Sequence, residues 1–550
     1  MLQQETKPTA ALQSLAEELQ SHILNFLPYR DILRCTSVCK ALRQTYISCS
    51  ELQYIVELGG QQLLPVPRTF DNINRTSISK RLQLLRDDAH AWFNFDIHSF
   101  ETISIPVHNK MWVVNGHLCL WERHEDSTTI FPILPKPSQY TIERDRSPMS
   151  LRSDPNAYGF DVLMDPAQNL IAVAYATVDD HFQWDDERIY IDLGTLDKGG
   201  IHPQAVGRTL FRSELPGIQS GDRTSTDLGK LKLKCFGRHI ALWHSLQITC
   251  EYLDERLWEL QIWDWQHSTI SRSVLSATIN PACEEAIDFC FLGNDRLLIF
   301  SDDMKLYLIE DTSKAPQLLA CFLLPVSLTR IQCITSMDDI SHSSRPQILA
   351  QQTMWTSDPE HQLLSVITFS PSLIFIISTR IFFDLDLFEG MLEAIPWTNW
   401  GPLNVRVFQT PSRRNIAVGG NRVLLAFPAD DTTGIWHYPQ KYRLHVMDFS
   451  PLAVERRQGL GRVVKEPSTV EITESRTGES FKLAETLTLT TSLPYVEVML
   501  DLDKTFGYRG FERMWIDRDR IYFYHGSNQL EVVEITPRAA AAAKSITSSS

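Results

Sequence analysis

After a polar start the chain reads Leu15-Ala-Glu-Glu-Leu-Gln-Ser-His-Ile-Leu-Asn-Phe-Leu-Pro28, followed by Tyr29-Arg-Asp-Ile-Leu-Arg-Cys-Thr-Ser-Val-Cys-Lys-Ala-Leu-Arg43. In the first stretch, Ser14 and Glu17 have the spacing of a capping box, in which each side chain satisfies a backbone amide of the other residue. The stretch predicts one helix of about three and a half turns, which Pro28 ends. Its apolar stripe consists of Leu15, Leu19, Ile23, Leu24 and Leu27.

The second stretch predicts two further short helices. Asp31 is expected to cap the second helix, and the apolar pattern then leads into a third. A unit of about 40 to 45 residues buries too small a share of its surface to be stable alone, so we expect a partner helix to cover it. The apolar positions are Ile32, Leu33, Cys35, Val38 and Cys39 in the second helix, then Leu42, Tyr46 and Ile47 in the third.

This order of residues resembles an F-box: Leu-x-x-Glu-Leu from Leu15, Ile-Leu-x-x-Leu-Pro from Ile23, Asp-Ile-Leu-Arg from Asp31 and Val-Cys-Lys-x-Leu-Arg from Val38. The resemblance implies that the module binds a Skp1-type adaptor of a cullin-RING ubiquitin ligase, and that the rest of the chain binds a protein substrate through residues that the sequence leaves unknown. The adaptor-binding residues that it implies are Leu15, Leu19, Ile23, Leu24, Leu27, Pro28, Leu33, Val38, Cys39 and Leu42.

Two positions depart from the family, and both bear on the affinity for the adaptor. Ala16 stands where the family usually has the first proline of its Leu-Pro pair, and Leu42 stands where tryptophan is common.

Two alternatives to adaptor binding stay open. The helices cap the large domain and bind nothing, or the chain is a non-catalytic interaction scaffold that acts outside a ubiquitin ligase.

A helical linker follows the F-box-like module. The pattern continues from Leu52 to Leu58, Gly59-Gly60 ends it, and a further helix is predicted from Ser77 to Phe95. This arrangement resembles F-box proteins of mushroom-type fungi, which share a Leu-Leu-Arg helix and an aromatic end such as Ala91-Trp92. We expect a flexible N-terminus at 1–11, the F-box at 12–58, the linker at 59–95, an all-β domain at 96–537 and a disordered tail at 538–550.

Beyond the linker, short apolar or alternating runs broken by Gly, Pro, Asp and Asn predict many strands with tight turns. Six segments repeat one plan, an apolar strand followed by a second strand, and their irregular spacing predicts a β-propeller of about seven blades. A pair of β-sandwiches is the alternative. Only Trp263-Asp264 resembles the end of a WD40 strand, so WD40 membership is not inferred. The six pairs are 169–176 with 188–193, 238–245 with 257–265, 296–300 with 305–310, 363–369 with 373–378, 416–427 with 442–449, and 520–524 with 530–534.

Composition and charge exclude several classes of partner. The chain has 52 Lys and Arg against 67 Asp and Glu, a net charge of -15 without a basic block, so nucleic acid is not expected.

The N-terminus lacks the apolar run of a secretory signal, and no window has the ~20 apolar residues of a membrane span. Ten cysteines without a Cys-x-x-Cys motif predict reduced thiols in a cytoplasmic or nuclear protein. The basic pair Arg456-Arg457 is expected in a solvated loop.

The sequence lacks the motifs of an enzyme. It has no phosphate-binding loop, nucleophile elbow or zinc-binding His-Glu-x-x-His, so no catalytic residue, cofactor or metal is expected. A hydrolase-like propeller is the weakest hypothesis, because it requires a tight cluster of buried carboxylates. Acidic pairs such as Asp302-Asp303 are interpreted as turns. The tryptophans are interpreted as core residues, including Trp112, Trp121, Trp258, Trp263 and Trp265. The histidines are interpreted as surface or core positions, including His22, His90, His98, His239 and His525.

Overall fold

The computed structural model describes the helical N-terminal region and most of the β-domain. The described residues are 15–66, 76–106, 108, 110–114, 117–122, 127–132, 149–150, 158–165, 168–177, 188–196, 200–212, 223–226, 231–250, 253–279, 287–326, 330–335, 354–369, 371–409, 416–428, 442–456, 461–475, 484–501, 511–517, 519–526 and 528–535.

Four short helices form an N-terminal helical unit: α1 (Glu17–Leu24), α2 (Tyr29–Val38), α3 (Lys40–Ser48) and α4 (Ser50–Gly60). They enclose a small core of Leu24, Ile32, Leu42, Leu52 and Val56. A longer helix, α5 (Ile78–Asn94), follows, and the Ser77 side chain accepts a hydrogen bond from the Lys80 amide at its start.

The helix starts differ from the prediction in two places. The predicted cap at Asp31 is wrong, because Pro28 occupies the N-cap of α2 and Asp31 lies in its first turn, where it pairs with Arg34 at 2.8 Å. α1 is shorter than predicted, and its N-cap Ala16 has no side chain that can accept a hydrogen bond. The predicted capping residue Ser14 lies outside the described residues.

Seven antiparallel sheets of four or five strands follow in chain order, and each is one blade of a β-propeller. Blades 1 to 3 consist of β3 (Lys110–Val114), β4 (His117–Glu122), β5 (Ser127–Pro132) and β6 (Met149–Ser150); β7 (Tyr158–Asp165), β8 (Leu170–Thr177), β9 (Arg188–Thr195) and β10 (Thr209–Phe211); and β11 (Arg223–Thr226), β12 (Lys232–Phe236), β13 (His239–Cys250), β14 (Leu253–Asp264) and β15 (Ser273–Thr278).

Blades 4 to 7 complete the ring. They consist of β16 (Asp288–Leu292), β17 (Arg296–Phe300), β18 (Met304–Leu308) and β19 (Gln317–Phe322); β20 (Gln332–Ile334), β22 (Leu363–Phe369), β23 (Ser372–Ser378) and β24 (Val405–Gln409); β25 (Ile416–Gly419), β26 (Arg422–Pro428), β27 (Tyr442–Asp448), β31 (Tyr495–Asp501) and β28 (Arg462–Val464); and β32 (Arg513–Ile516), β33 (Arg520–His525), β34 (Gln529–Ile535) and β2 (Ile97–Ser104).

The remaining elements decorate this ring. Two further two-stranded sheets pair β1 (Leu63–Pro65) with β21 (Trp355–Ser357) and β29 (Ser468–Ser475) with β30 (Ala484–Thr491). The connections also contain α6 (Trp397–Asn404), α7 (Pro451–Glu455) and the 3-10 helices Pro359–His361, Thr379–Phe382 and Leu385–Phe388.

The ring closes through the pairing of β2 with β34, which runs from Ile97 opposite Ile535 to Ser104 opposite Gln529. Apolar cores fill all seven interfaces between neighbouring blades, including the one between blade 7 and blade 1. The predicted β-propeller is therefore confirmed. Paired β-sandwiches are excluded, because each sheet packs against two neighbours instead of one.

Five of the six predicted strand pairs are hairpins formed by the second and third strands of a blade. In blade 6 the predicted strand 416–427 is instead two strands, β25 and β26, joined by a turn at Gly420, and β26 pairs with β27 as its third strand. Some of these strands, such as β22 and β23, are buried along most of their length and are mostly apolar, whereas others, such as β27 and β34, alternate. Trp121, Trp258, Trp263 and Trp265 are buried as predicted, whereas the Trp112 side chain lies outside the described part.

The strand order gives the ring two faces. The first strands of neighbouring blades contact one another, so each blade runs outward from the centre. The turns between first and second strands and between third and fourth strands then lie on one face, which we call the lower face. The sheet of β1 and β21 and helix α7 lie there, and α5 enters the ring there because β2 begins beside the end of β34.

Two buried aspartates on innermost strands each link three successive blades. Asp161 lies 3.6 Å from Lys110 Nζ of blade 1 and accepts a 2.9 Å hydrogen bond from the Leu233 amide of blade 3. Asp288 repeats this arrangement: Lys234 Nζ lies 3.0 Å away, and the Cys333 amide donates at 2.7 Å. Charged hydrogen bonds thus connect blades 1 to 5 near the axis.

A buried acidic turn joins β32 to β33 in blade 7. Asp517 is 7% exposed and accepts a hydrogen bond from the Tyr522 hydroxyl, while its amide donates to the Arg520 carbonyl at 3.0 Å. Burial, with the nearby Asp519, raises the pKa of Asp517 to about 7, although Arg520 opposes the shift.

This shift predicts a pH effect on stability. Because the folded pKa lies above the unfolded value of about 3.9, the native state holds the extra proton between pH ~4 and ~7, and its stabilising contribution is lost as the pH rises through that window. We expect the denaturation midpoint of the parent chain to fall relative to that of Asp517→Asn between pH 5 and 8, followed by tryptophan fluorescence in urea. Parallel curves for the two proteins would refute this, and the exposed Asp302→Asn variant serves as the control.

A residue of α5 lies in the core between blades 6 and 7, next to the strand pair that closes the ring. Its position predicts a second effect on stability. Trp92 is 4% exposed within the core between these blades, and the Arg422 guanidinium lies 4.8 Å from its ring centre. Trp92→Ala is expected to lower the free energy of unfolding by about 3–5 kcal/mol. Phe26→Ala, which truncates an aromatic ring that is 76% exposed, should change it by less than about 0.5 kcal/mol. Equal effects in denaturant titrations would show that α5 is not part of the closure.

Candidate functional site

Five large apolar side chains stand exposed on the first three helices and the turn after α1. They are Leu19, Ile23, Phe26, Val38 and Ile47, and Phe26 and Val38 are 76% and 71% exposed. Single exposed apolar residues are common on soluble proteins, but several on one small unit make this unit a candidate contact surface. We call these five residues the helical surface.

The structure divides the ten residues of the predicted adaptor-binding set by burial. Leu24 and Leu42 are fully enclosed and hold the helices together, so they cannot reach a partner directly. The exposed members are Leu19, Ile23, Pro28 and Val38, and the half-buried members are Leu15, Leu27, Leu33 and Cys39.

Two residues of the helical surface were missed by the sequence analysis. Phe26 follows Leu19 by seven residues and Ile23 by three, so the same helical stripe could have included it. Its ring lies edge-on to the His22 ring at 5.1 Å. Ile47 was named only as an apolar position of the third helix, and it faces solvent. An apolar side chain at position 47 does not by itself indicate that it faces solvent.

Buried polar contacts fix α1 against α3 beneath this surface. The Thr45 hydroxyl donates to Gln20 Oε1 at 3.0 Å, and Gln20 Nε2 donates to the Leu15 carbonyl at 2.8 Å. The Ser48 hydroxyl donates to the Glu17 carboxylate. These bonds hold the exposed side chains of α1 in a defined orientation, which lowers the entropic cost of binding.

Glu57 joins the helical unit to the propeller. Its side chain is 3% exposed, and Oε2 lies 3.1 Å from Arg86 Nε of α5 and 2.8 Å from Arg456 Nη1 at the end of α7. Gln61 Nε2 donates to Oε1 at 3.1 Å. The expectation that Arg456 is a solvated loop residue is therefore wrong, since its guanidinium neutralises a buried carboxylate.

Backbone contacts reinforce this junction. β1 pairs with β21, the Asp358 amide donates to the Gln62 carbonyl at 3.0 Å, and Asn421 Nδ2 donates to the Gln61 carbonyl at 3.3 Å. Tyr54 and Leu58 of α4 share a small core with Trp355. Ion pairs, strand pairing and apolar packing thus fix the helical unit to the lower face.

Within the described part of the propeller, one cluster of buried polar side chains resembles catalytic machinery. Between blades 2 and 3, Arg212 Nη2 donates to Glu259 Oε2 at 2.9 Å, and His244 Nε2 lies 3.7 Å from the same oxygen. Burial raises the pKa of Glu259 and lowers that of His244. Both side chains are only 1% exposed, so a substrate has no access to them.

Neither a metal site nor a membrane-spanning helix is found among the described residues. The described segments contain no group of three or more His, Cys, Asp or Glu side chains that could hold a metal ion. The buried carboxylates Asp161 and Asp288 are ion-paired with lysines. Likewise, no helix in the described part of the chain is long and apolar enough to cross a membrane.

Comparison with known proteins identifies the helical unit. The family model of the F-box domain matches residues 12–45, so the chain carries an F-box there, followed by the β-propeller. No curated protein matches the chain.

Two solved structures resemble it weakly. The WD40 domain of SCAP from fission yeast has 9% identity over 79% of this chain and 94% of that chain, with a TM-score of 0.30. The β-propeller domain of the Trilobed protease from Pyrococcus furiosus has 8% identity over 53% and 77%, with a TM-score of 0.21. The assignment of seven blades therefore follows from the strand pairing and from the apolar cores between blades, not from these two similarities.

The junction predicts the effect of removing Glu57. Glu57→Ala leaves two arginines facing a cavity without their carboxylate, so we expect a loss of about 1–3 kcal/mol of stability, reduced because both guanidinium groups are partly solvated. Amide exchange in α1 to α4 should accelerate more than in the blades, measured by hydrogen–deuterium exchange with mass spectrometry. Asp31→Ala removes the exposed pair with Arg34 and should change stability by less than about 0.5 kcal/mol. Uniformly faster exchange throughout the chain would argue against a junction at Glu57.

Proposed function

We propose that the chain is a substrate-recognition adaptor of an SCF-type ubiquitin ligase. An F-box followed by a β-propeller suggests such an adaptor in general, and these architectures are typical of non-enzymatic proteins. The F-box would bind a Skp1-type adaptor, and through it a cullin-RING ligase, while the propeller binds a protein substrate. The protein would contribute no catalytic step and would act in the cytoplasm, the nucleus or both. The narrower resemblance to F-box proteins of mushroom-type fungi is part of this proposal.

The observation that supports the proposal most strongly is the helical surface itself. Burying a Leu, Ile, Val or Phe side chain contributes about 1.5–3 kcal/mol relative to leaving it in water. Five such residues are therefore sufficient to drive association, even after the cost of immobilising two proteins. The charges beside them are of both signs, including Glu17, Glu18, Arg30 and Arg34, which favours a mainly apolar contact with a polar rim.

Binding of a purified Skp1-type adaptor to the full chain tests the proposal. Calorimetry should give a defined affinity for the parent chain. Ile23→Asp should weaken binding by about a hundredfold or more, because it places a charge within the apolar contact. The matched control is Ile270→Asp, which changes an apolar residue on blade 3 that is 66% exposed and should leave the affinity unchanged.

Two results would contradict the proposal. If the parent chain does not bind the Skp1-type adaptor, the scaffold hypothesis becomes the better one, in which the same surface joins another complex without ubiquitin transfer. If Ile23→Asp binds as tightly as the parent, the adaptor contacts a different surface. Circular dichroism of both variants verifies that they fold, as expected for substitutions at exposed positions.

A further inference from the structure

A second exposed apolar surface lies on the connection between the third and fourth strands of blade 5, beside the outer strand β19 of blade 4. Residues 379–404 connect β23 with β24. Within this segment Leu387 and Leu403 are 68% and 74% exposed to solvent. Met391 is also exposed, and its Sδ lies 3.3 Å from Asn399 Nδ2 of α6. Leu403 follows Asn399 by one helical turn. We call Leu387, Met391, Asn399 and Leu403 the rim patch.

A rigid aromatic base supports the rim patch. Phe382, Phe388 and Trp400 are buried, and their rings lie 5.2, 5.7 and 5.8 Å from the Phe322 ring of blade 4. The Ile395 amide donates to the Cys321 carbonyl at 2.8 Å, which ties the segment to the edge of β19. The exposed side chains therefore stand on ordered structure, so a partner has little disorder to remove on binding.

The charge around the rim patch is predominantly acidic. Residues 379–404 contain Asp384, Asp386, Glu389 and Glu393 against one cation, Arg380, and the Arg296 guanidinium of blade 4 lies 4.6 Å from the Phe383 ring centre. Asp384 pairs with Arg380 at 2.6 Å. Within the described segments, Asp386, Glu389 and Glu393 form no ion pair. This distinguishes the rim patch from the helical surface, where charges of both signs alternate.

We propose that the rim patch docks a cationic amphipathic segment of a partner protein. Apolar side chains of that segment would cover Leu387, Met391 and Leu403, and its Lys or Arg side chains would pair with the free carboxylates. Charge complementarity selects this occupant, since nucleic acid and anionic lipid surfaces are repelled by the acidic rim. The proposal goes beyond the adaptor role and does not depend on it.

A synthetic peptide can probe this surface directly. The probe is a fluorescent helix of about 18 residues, with Leu on one face and Lys on the other. A scrambled peptide of the same composition has the same charge but no apolar face. Fluorescence anisotropy with the full chain should show that the amphipathic peptide binds at least about tenfold more tightly than the scrambled one, a difference of about 1.4 kcal/mol.

Two double variants and two controls assign the binding to the rim patch. Leu387→Ser with Leu403→Ser removes the apolar contact, Glu389→Gln with Glu393→Gln removes the charge, and each pair should weaken binding by about tenfold or more. The charge-matched control, Asp302→Asn with Glu310→Gln on blade 4, should bind like the parent. Ile23→Asp should also bind like the parent, which separates this site from the F-box.

Three outcomes would overturn the proposal. The first is equal binding of the two peptides, which would show that net charge alone causes the binding. The second is that both rim-patch variants bind the amphipathic peptide like the parent. The third is self-association of the parent chain that Leu387→Ser with Leu403→Ser abolishes, because a second copy of the chain would then be the occupant. Light scattering at the concentrations of the anisotropy experiment detects this last case.

Discussion

The pairing of β2 with β34 joins the two ends of the propeller, and the rest of the structure depends on it. The paired residues Ile97 and Ile535 lie more than four hundred positions apart, so closing the ring is entropically costly and has to be offset by packing on both sides of blade 7. The cores towards blades 6 and 1 provide that packing. Closure also pairs both terminal strands, which protects the sheet edges that would otherwise be open to aggregation.

The same closure sets the position of the F-box. Helix α5 ends only two residues before β2, and Ala91, Trp92 and Phe95 belong to the core between blades 6 and 7. The junction at Glu57 and the pairing of β1 with β21 then fix the remaining helices to the lower face. A rigid frame of this kind presents two surfaces of different chemistry, an apolar one with mixed charges on the F-box and an acidic one at blade 5. Partners of different charge can therefore be distinguished by the two surfaces.

The sequence predicted the architecture best where both faces of an element are buried. The central hairpins of blades 2 to 7 are apolar or alternate regularly, so they were recognised, although in blade 6 two strands were merged into one, and the helix capped by Ser77 was recognised as well. Inner and outer strands are short or polar, as β11 and β20 illustrate, and pairings such as β2 with β34 are too distant in sequence to be inferred from local pattern. Asp31 was misassigned because Pro28 takes the cap position three residues earlier.

The candidate surface was only partly accessible to prediction. Helical spacing identifies an apolar stripe, but it does not separate the residues that form the core, such as Leu24, from those that are exposed, such as Phe26. That separation depends on how α1 to α4 pack together. The rim patch was missed entirely, because residues 379–404 lack a strand pattern and their apolar residues divide between core and surface only after folding.

Hydrogen–deuterium exchange of the full chain, with and without a purified Skp1-type adaptor, tests the central claim most directly. The claim predicts that the adaptor slows exchange within residues 17–48, which form α1 to α3, and leaves the seven blades and the rim patch unchanged. Slower exchange confined to the propeller, or no change anywhere at saturating adaptor, would contradict it.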